Sequence, residues 1–220
     1  MSTPDRLSYS GSVVQRPWDA RLARSLVTPL KGTWVTPNHL TTVRLGVGLA
    51  AAAAFLPGTY GWSNLAALLL VISNFLDHTD GELARLSGKS SRIGHVYDLA
   101  SDAAVTILLF IAMAVGAGAT PESWLHVPPL ALGLIAGSAI ALIFFLRMRI
   151  EDIAGKSVNQ QAALGGFETE DVLYLLPLVT LSNAVMPFLT AAAACAPLFA
   201  LWVVVDYRRV LRQQTPQAGR

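Results

Sequence analysis

Six long apolar stretches constrain the fold of this chain more than any other feature. They run from about 39 to 57, 64 to 86, 95 to 118, 127 to 147, 170 to 185 and 188 to 207. Each is close to the roughly 20 residues that a helix needs to cross a bilayer. Helices are expected because an open sheet would leave backbone groups without partners in lipid. The sequence therefore predicts an all-α membrane protein with six transmembrane helices.

Composition and segment boundaries agree with this prediction. Charged residues make up 14% of the chain, whereas ordinary soluble domains carry roughly 25%. We interpret residues 17–212 as one membrane domain, preceded by a flexible N-terminus, 1–16, and followed by a C-terminal tail, 213–220.

The basic residues indicate an orientation. With the N-terminus in the cytoplasm, all 16 lysines and arginines lie in cytoplasmic segments or at the cytoplasmic ends of the spans. The opposite loops, 58–63, 119–126 and 184–187, contain none. Cytoplasmic loops of membrane proteins carry such an excess. We therefore expect a multi-pass protein of the cell (inner) membrane with both termini in the cytoplasm.

A short helix is predicted before the first span. Trp18, Leu22 and Leu26 fall on one helical stripe, with two arginines on another. This pattern is typical of an amphipathic helix lying in the membrane interface. An amphipathic helix packed on the protein itself fits equally well, and both interpretations stay open.

Residues 74–102, "NFLDHTDGELARLSGKSSRIGHVYDLASD", place four aspartates at helical spacings. Asp77 and Asp80 share a face of the second span with two small residues, and Asp98 and Asp102 share a face of the third. The basic loop between these spans is short. We therefore expect the spans to be antiparallel neighbours whose acidic faces meet at the cytoplasmic side.

Four converging carboxylates beside lipid point to a function. An ionisable residue in a membrane span is costly, and divalent cations such as Mg²⁺, Mn²⁺ or Ca²⁺ offset the repulsion through hard oxygen ligands. A pair of such ions suits displacement at phosphorus, and Arg85 adds a bidentate phosphate donor. Taken singly, each aspartate is as well explained as a solvated helix cap or an ion-pair partner.

The pattern D-x2-D-G-x2-A-R-x8-G-x3-D-x3-D, from Asp77 to Asp102, resembles the signature of the CDP-alcohol phosphotransferase family. The resemblance implies a six-helix membrane enzyme, commonly a homodimer. Such enzymes cleave a CDP-alcohol, release CMP and attach the phospho-alcohol to an acceptor hydroxyl. It also implies two Mg²⁺ or Mn²⁺ ions, with Asp77 and Asp98 binding both, Asp80 one and Asp102 the other. Asp102 would also accept the proton of the acceptor.

The same resemblance implies the contacts of the donor. They are Asn38, Thr41, Gly81, Ala84, Arg85 and Ser91. The match at Asn38 and Thr41 rests on the short segment "TPNHLT", 36–41. An alternative is that this segment is a plain helix start with Asn38 as its N-cap.

Partners and alternatives complete the expectation. The partners are a CDP-alcohol, a polar or lipid alcohol acceptor and membrane lipids, with no nucleic acid. In one mode the donor is CDP-diacylglycerol and the acceptor is a small polar alcohol. In the other mode a CDP-linked headgroup is transferred to a lipid alcohol or to a second soluble alcohol.

Two alternative functions belong to different classes. One is a divalent-cation transporter, which acidic residues near the midplane of several spans would favour. The other is a catalytically silent assembly partner, which loss of a motif aspartate would favour.

Overall fold

The computed structural model describes residues 18–89, 91–118, 127–154 and 174–214. The regular structure in these ranges is helical and includes no strand, which confirms the all-α prediction. The helices are α1 Trp18–Val27, α2 Pro37–Phe55, α3 Tyr60–Ser87, α4 Arg92–Ala117, α5 Pro129–Ala154, α6 Leu176–Leu181 and α7 Val185–Gln214. The expected flexible N-terminus and most of the expected C-terminal tail lie outside the described residues.

The membrane character is supported, and the number of spans stays a prediction. Among the residues that the structure describes, α4, α5 and α7 are the three helices long and apolar enough to cross a membrane. Helices α2 and α3 overlap the first two predicted spans, and α3 carries the charged motif in its second half. The fifth predicted span is described only from residue 174, where α6 covers six residues.

Helix α2 begins two residues earlier than an Asn38 cap would require. Thr36 is the N-cap, Pro37 occupies the first turn, and the Thr36 backbone N–H donates to His39 Nδ1 at 3.1 Å. The alternative of Asn38 as N-cap is therefore wrong. The physical reason is Pro37, whose fixed φ and missing N–H suit the first helical position and so place the cap at Thr36.

A tight connection reverses the chain between α3 and α4. Gly88, at φ 66°, ends α3 in the left-handed conformation that glycine adopts without strain. The Ser91 side chain caps α4 by accepting a hydrogen bond from the Gly94 N–H at 3.0 Å. Lys89 Nζ in this connection donates to the Thr33 carbonyl at 3.1 Å, which ties the loop to the segment before α2.

Helix α2 lies between α3 and α4 in the packing. It packs against both, whereas within the described residues α3 and α4 do not pack closely on each other. Gly48 permits the approach on the α4 side, because a Cβ there would come within 2.7 Å of Val105 Cγ2. The expectation of α3 and α4 as direct neighbours is therefore corrected: their acidic faces meet across α2.

The first helix packs on the protein through one face. Ala23 and Val27 of α1 are buried, and the helix contacts α3. Leu22 and Leu26, on the predicted apolar stripe, are instead about half exposed, at 48% and 56%. One face of α1 therefore packs on the protein. The face with Leu22 and Leu26 is not covered by the described residues.

Candidate functional site

An acidic cluster is formed by side chains of α3 and α4 that reach each other beside α2. Asp77 of α3 and Asp98 and Asp102 of α4 each offer a carboxylate oxygen, and these oxygens lie within 4.8 Å of one another. The three side chains are about one-third exposed. Three partly dehydrated negative charges so close together require a compensating positive charge.

Arg44 of α2 supplies positive charge inside this cluster. Its Nη1 lies 2.9 Å from Asp77 Oδ1, and its Nη2 lies 2.6 Å from Asp98 Oδ1. Nη1 also donates to Asp102 Oδ1. The arginine side chain is only 6% exposed, so its charge is almost fully removed from solvent. Ser73 Oγ donates to its backbone carbonyl at 3.1 Å.

Asp80, the fourth aspartate of the motif, lies apart from the other three. It is buried, and its Oδ2 accepts a hydrogen bond from Thr41 Oγ1 at 2.9 Å. Arg44 Nε approaches the same oxygen at 3.8 Å. The four predicted ligands therefore surround one arginine, with three on one side and Asp80 beside Thr41.

A cavity of about 190 Å³ opens on the Asp80 side of the cluster. Five of the six residues predicted to contact the donor line it, and these are Asn38, Thr41, Gly81, Ala84 and Ser91. Asp80, Asp98 and Lys89 also reach its wall. The cavity thus combines a lysine and small side chains with two carboxylates.

Gly94 keeps this cavity open at the start of α4. A Cβ at this position would lie 2.7 Å from Asn38 Oδ1 and 3.1 Å from Ser91 Oγ. Gly81, also on the wall, has more room, since an added Cβ would meet only Arg85 Nη2 at 3.5 Å. The two motif glycines therefore differ: Gly94 is required for space between α2 and α4, and Gly81 faces an open side.

Arg85 does not line the small cavity in this structure. Its Nη2 pairs with Glu82 Oε1 at 3.1 Å, and Glu82 is almost fully buried. Arg24 of α1 approaches the same carboxylate at 3.7 Å. The side chain of Arg85 is 56% exposed, so the structure leaves it at the surface beside the predicted donor site.

A second cavity, of about 250 Å³, lies on the other side of the cluster. Asp77, Asp98 and Asp102 form its polar end. Its remaining wall is mixed: it includes the apolar Leu70, Leu109 and Phe144 and polar residues such as Arg147 and Tyr174. The Arg147 guanidinium lies over the Trp202 ring, 5.0 Å from its centroid. This cavity therefore accepts a molecule with both a polar and an apolar part.

The chemistry of the cluster fits divalent metal ions. Its ligand atoms are carboxylate oxygens, which suit Mg²⁺ and Mn²⁺, and the distance between them is short enough for shared coordination. The arginine drawn into the same place shows that the cluster stabilises positive charge there. Asp77, Asp98 and Asp102 are the residues best placed to hold an ion, and Asp80 lies near Arg44 Nε.

Sequence reasoning used Arg44 only as an orientation signal and missed its place in the site. The signal was nevertheless present, because Arg44 is a charge inside an apolar span, one helical turn after Thr41. A charged residue in such a span faces the protein interior and a partner in nearly all cases.

Comparison with known proteins identifies the family. A family described as CDP-alcohol phosphatidyltransferase matches residues 34–205, which include the cluster and both cavities. The chain belongs to the CDP-alcohol phosphatidyltransferase family. The prediction made from the aspartate motif is thereby confirmed.

Several relatives show how varied this family is. A "Cardiolipin synthase (CMP-forming)" of Streptomyces coelicolor is 30% identical over 169 residues, which are 71% of this chain and 72% of that protein. A "Bifunctional IPC transferase and DIPP synthase" of Rubrobacter xylanophilus is 31% identical over 147 residues, 67% of this chain and 30% of that protein. "Cholinephosphotransferase 1" of Danio rerio is 33% identical over 100 residues, 41% of this chain. The match spans about a quarter of that last protein, 26%.

Proposed function

We propose that this family member is a membrane transferase that cleaves a CDP-alcohol, releases CMP and passes the phospho-alcohol to an acceptor hydroxyl in phospholipid synthesis. The observation that carries the proposal is the carboxylate cluster of Asp77, Asp98 and Asp102 between two cavities. The smaller cavity carries Lys89 and two carboxylates, and the larger one mixes polar and apolar side chains. A transferase needs such a pair of adjoining sites for two substrates, and family membership supports this function over that of a cation transporter.

We propose that Asp77, Asp80, Asp98 and Asp102 would hold two Mg²⁺ or Mn²⁺ ions. Ions bound there would offset the negative charge of the pyrophosphate during phosphoryl transfer. The buried Asp80 is kept in place by Thr41, so Thr41 positions a ligand as well as lining the donor cavity. Arg44 balances the carboxylates when no other cation is bound.

The small cavity is proposed to receive the cytidine and phosphates of the donor. Asn38, Gly81, Ala84 and Ser91 line it and leave room for the phosphates to approach the backbone. Arg85 is proposed to contact a donor phosphate. Its side chain is more than half exposed and pairs with Glu82, so rotation of that side chain would bring a bidentate donor toward the cavity.

Asp102 is proposed to accept the proton of the acceptor hydroxyl. The acceptor oxygen forms a bond to the phosphorus that carries the alcohol, and the bond from that phosphorus to the bridging oxygen breaks. The bridging oxygen leaves on CMP, while the proton passes to the Asp102 carboxylate. The location of Asp102 on the wall of the larger cavity and outside the lining of the smaller one supports this role.

The larger cavity is proposed as the acceptor site. Its mixed wall suits either a polar alcohol or a lipid alcohol, so both donor modes remain proposals. The names of the relatives cover both modes, since one is a cholinephosphotransferase and another a "CDP-diacylglycerol--glycerol-3-phosphate 3-phosphatidyltransferase" of Cereibacter sphaeroides. That second protein is 32% identical over 96 residues.

We also propose six spans within a membrane domain of residues 17–212, with α1 lying in the interface of the cell membrane. The termini and the active site would face the cytoplasm, and the protein would form a homodimer. The apolar helices α4, α5 and α7 and the one-sided basic residues support the topology. The half-exposed leucines of α1 support its contact with lipid.

The decisive experiment is an assay of CMP release. Purified protein in detergent is incubated with Mg²⁺ or Mn²⁺ and with CDP-diacylglycerol or CDP-choline. Acceptors are glycerol phosphate, inositol phosphate, diacylglycerol and a phospholipid with a free hydroxyl. At least one pair is expected to give CMP in the presence of metal and none with EDTA. Absence of CMP from every pair, with folded protein, would overturn the proposal.

A further inference from the structure

The side chain of His95, on α4, lies where the two cavities meet. Of the residues that the structure describes, His95 and Asp98 are the two that line both cavities. If the donor occupies the small cavity and the acceptor the larger one, the phosphorus under transfer lies between them. This placement of the phosphorus rests on the proposed function. His95 and Asp98 then lie between the two proposed substrate sites.

We propose that His95 is a catalytic residue that donates a hydrogen bond to a non-bridging oxygen of the phosphoryl group under transfer. When both ring nitrogens of a histidine carry a proton, one N–H faces a carboxylate partner and the other remains a donor. The ring is half exposed, at 48%, so one edge is accessible to a substrate. The group of carboxylates suited to a metal ion does not include His95 among the described residues. Because Nε2 faces Asp152, Nδ1 is the nitrogen left for the substrate.

A carboxylate on α5 orients this ring. Asp152 Oδ2 lies 3.8 Å from His95 Nε2, and Arg149 Nη1 lies 3.7 Å from the same carboxylate oxygen. The chain from Arg149 through Asp152 to His95 joins α5 to α4 at the cavity edge. Asp152 is therefore a positioning residue, because its carboxylate lies at ion-pair distance from the ring and outside the linings of both cavities.

The chemical reason for a donor at this place is the charge of the transition state. Negative charge is spread over the non-bridging oxygens while the acceptor oxygen bonds to phosphorus and the bridging oxygen departs with CMP. A hydrogen bond that strengthens as this charge develops lowers the barrier rather than the binding energy of either substrate. The acceptor proton still passes to Asp102, so His95 gains and loses no proton in the cycle.

A purely structural role for His95 makes a different prediction. If the ring only joined α4 to α5 through Asp152, its removal would lower stability and leave the turnover number unchanged. A role at phosphorus lowers kcat with little change in KM, in stability or in metal affinity. The two roles are therefore separated by comparing kcat with the melting temperature.

The test uses His95→Ala, His95→Gln and Val96→Ala in the full chain. Val96, the next residue on α4, is 58% exposed and lines neither cavity, so its variant is the matched control. For whichever pair of CDP-alcohol and acceptor gives CMP with the wild type, kcat and both KM values are measured. Mn²⁺ affinity is measured by electron paramagnetic resonance and folding by thermal unfolding.

We expect His95→Ala to lower kcat by about tenfold to a hundredfold, the range for one hydrogen bond to a charged group. Both KM values and the Mn²⁺ affinity are expected to stay within about threefold. Glutamine retains an N–H donor, so His95→Gln is expected to recover part of the rate and to serve in place of alanine if that variant does not fold. Val96→Ala is expected to match the wild type.

Three results would overturn the inference. If the wild type releases CMP and both His95 variants do so at the same kcat, His95 has no role at phosphorus, while the proposed function stands. If kcat falls only in parallel with Mn²⁺ affinity, His95 acts through the metal site instead. Absence of CMP from the wild type with every pair removes the proposed function and this inference together.

Discussion

Arg44 Nη2 lies 2.6 Å from Asp98 Oδ1, so an arginine of α2 is joined directly to the acidic face of α4. The same guanidinium reaches Asp77 of α3. One side chain thus links the three helices that form the site. In this structure the positive charge of Arg44 offsets the repulsion between the clustered carboxylates.

Replacing Arg44 should destabilise the protein more without metal than with metal. We expect Arg44→Met to lower the free energy of unfolding in EDTA by about 2–3 kcal/mol. Removal of one partner from a buried ion-pair network costs roughly 3–5 kcal/mol, and the partial exposure of these carboxylates reduces the loss. The loss should be smaller in Mn²⁺, because the metal replaces the missing charge. Thermal unfolding in detergent measures both values.

The control for this prediction is Arg209→Gln, which removes an exposed arginine of α7. Arg209→Gln should have the same small effect on the free energy of unfolding in EDTA and in Mn²⁺. An equal loss for Arg44→Met under both conditions would contradict the view that Arg44 and metal ions balance the same carboxylates.

Asp102→Asn should abolish turnover and leave donor binding largely intact. The amide cannot accept the acceptor proton, and general-base catalysis contributes about 10²–10⁴-fold to a rate. We expect CMP release to fall by at least a hundredfold, while titration with the donor shows an affinity within about threefold. Asp206→Asn on α7, which lines neither cavity, is the control. Full activity of Asp102→Asn would remove the residue from its proposed role.

Gly94→Ala should weaken donor binding with little effect on stability. The new Cβ would lie 2.7 Å from Asn38 Oδ1, so the Asn38 side chain must move into or away from the small cavity. We expect the donor KM to rise by about tenfold, equivalent to about 1.4 kcal/mol, and the acceptor KM to stay unchanged. Gly46→Ala on α2 is the matched control, because no atom lies within 4 Å of its added Cβ. An unchanged donor KM would show that the donor does not contact this part of the cavity.

Gly133→Ala should lower stability without a specific effect on either substrate. A Cβ at this position of α5 would lie 2.5 Å from the Phe110 carbonyl of α4, and a backbone atom cannot move aside easily. Overpacking of this kind costs typically 1–3 kcal/mol, so we expect a fall in melting temperature of about 3–8 °C. Gly61→Ala, with open space around its Cβ, is the control. Equal melting temperatures for the two variants would contradict the close approach of α4 and α5.

The amino-acid sequence by itself determined the helical class and the chemistry of the motif. Apolar stretches of span length allow little except helices in lipid. A spacing of three or four residues places Asp77 with Asp80, and Asp98 with Asp102, on single helix faces whatever the packing. Local rules also explain the end of α3 at Gly88. At the start of α2, Pro37 was the signal that identifies Thr36, rather than Asn38, as the cap.

Only the tertiary structure decided how these faces meet. The packing of α2 between α3 and α4 brings Arg44 into the cluster and separates Asp80 from the other three aspartates, and no local spacing encodes that arrangement. The division into two cavities, with His95 at their junction, likewise depends on α5 and on side chains far apart in the chain. Helix periodicity fixes which residues share a face, whereas the partner of each face is set by long-range packing between helices.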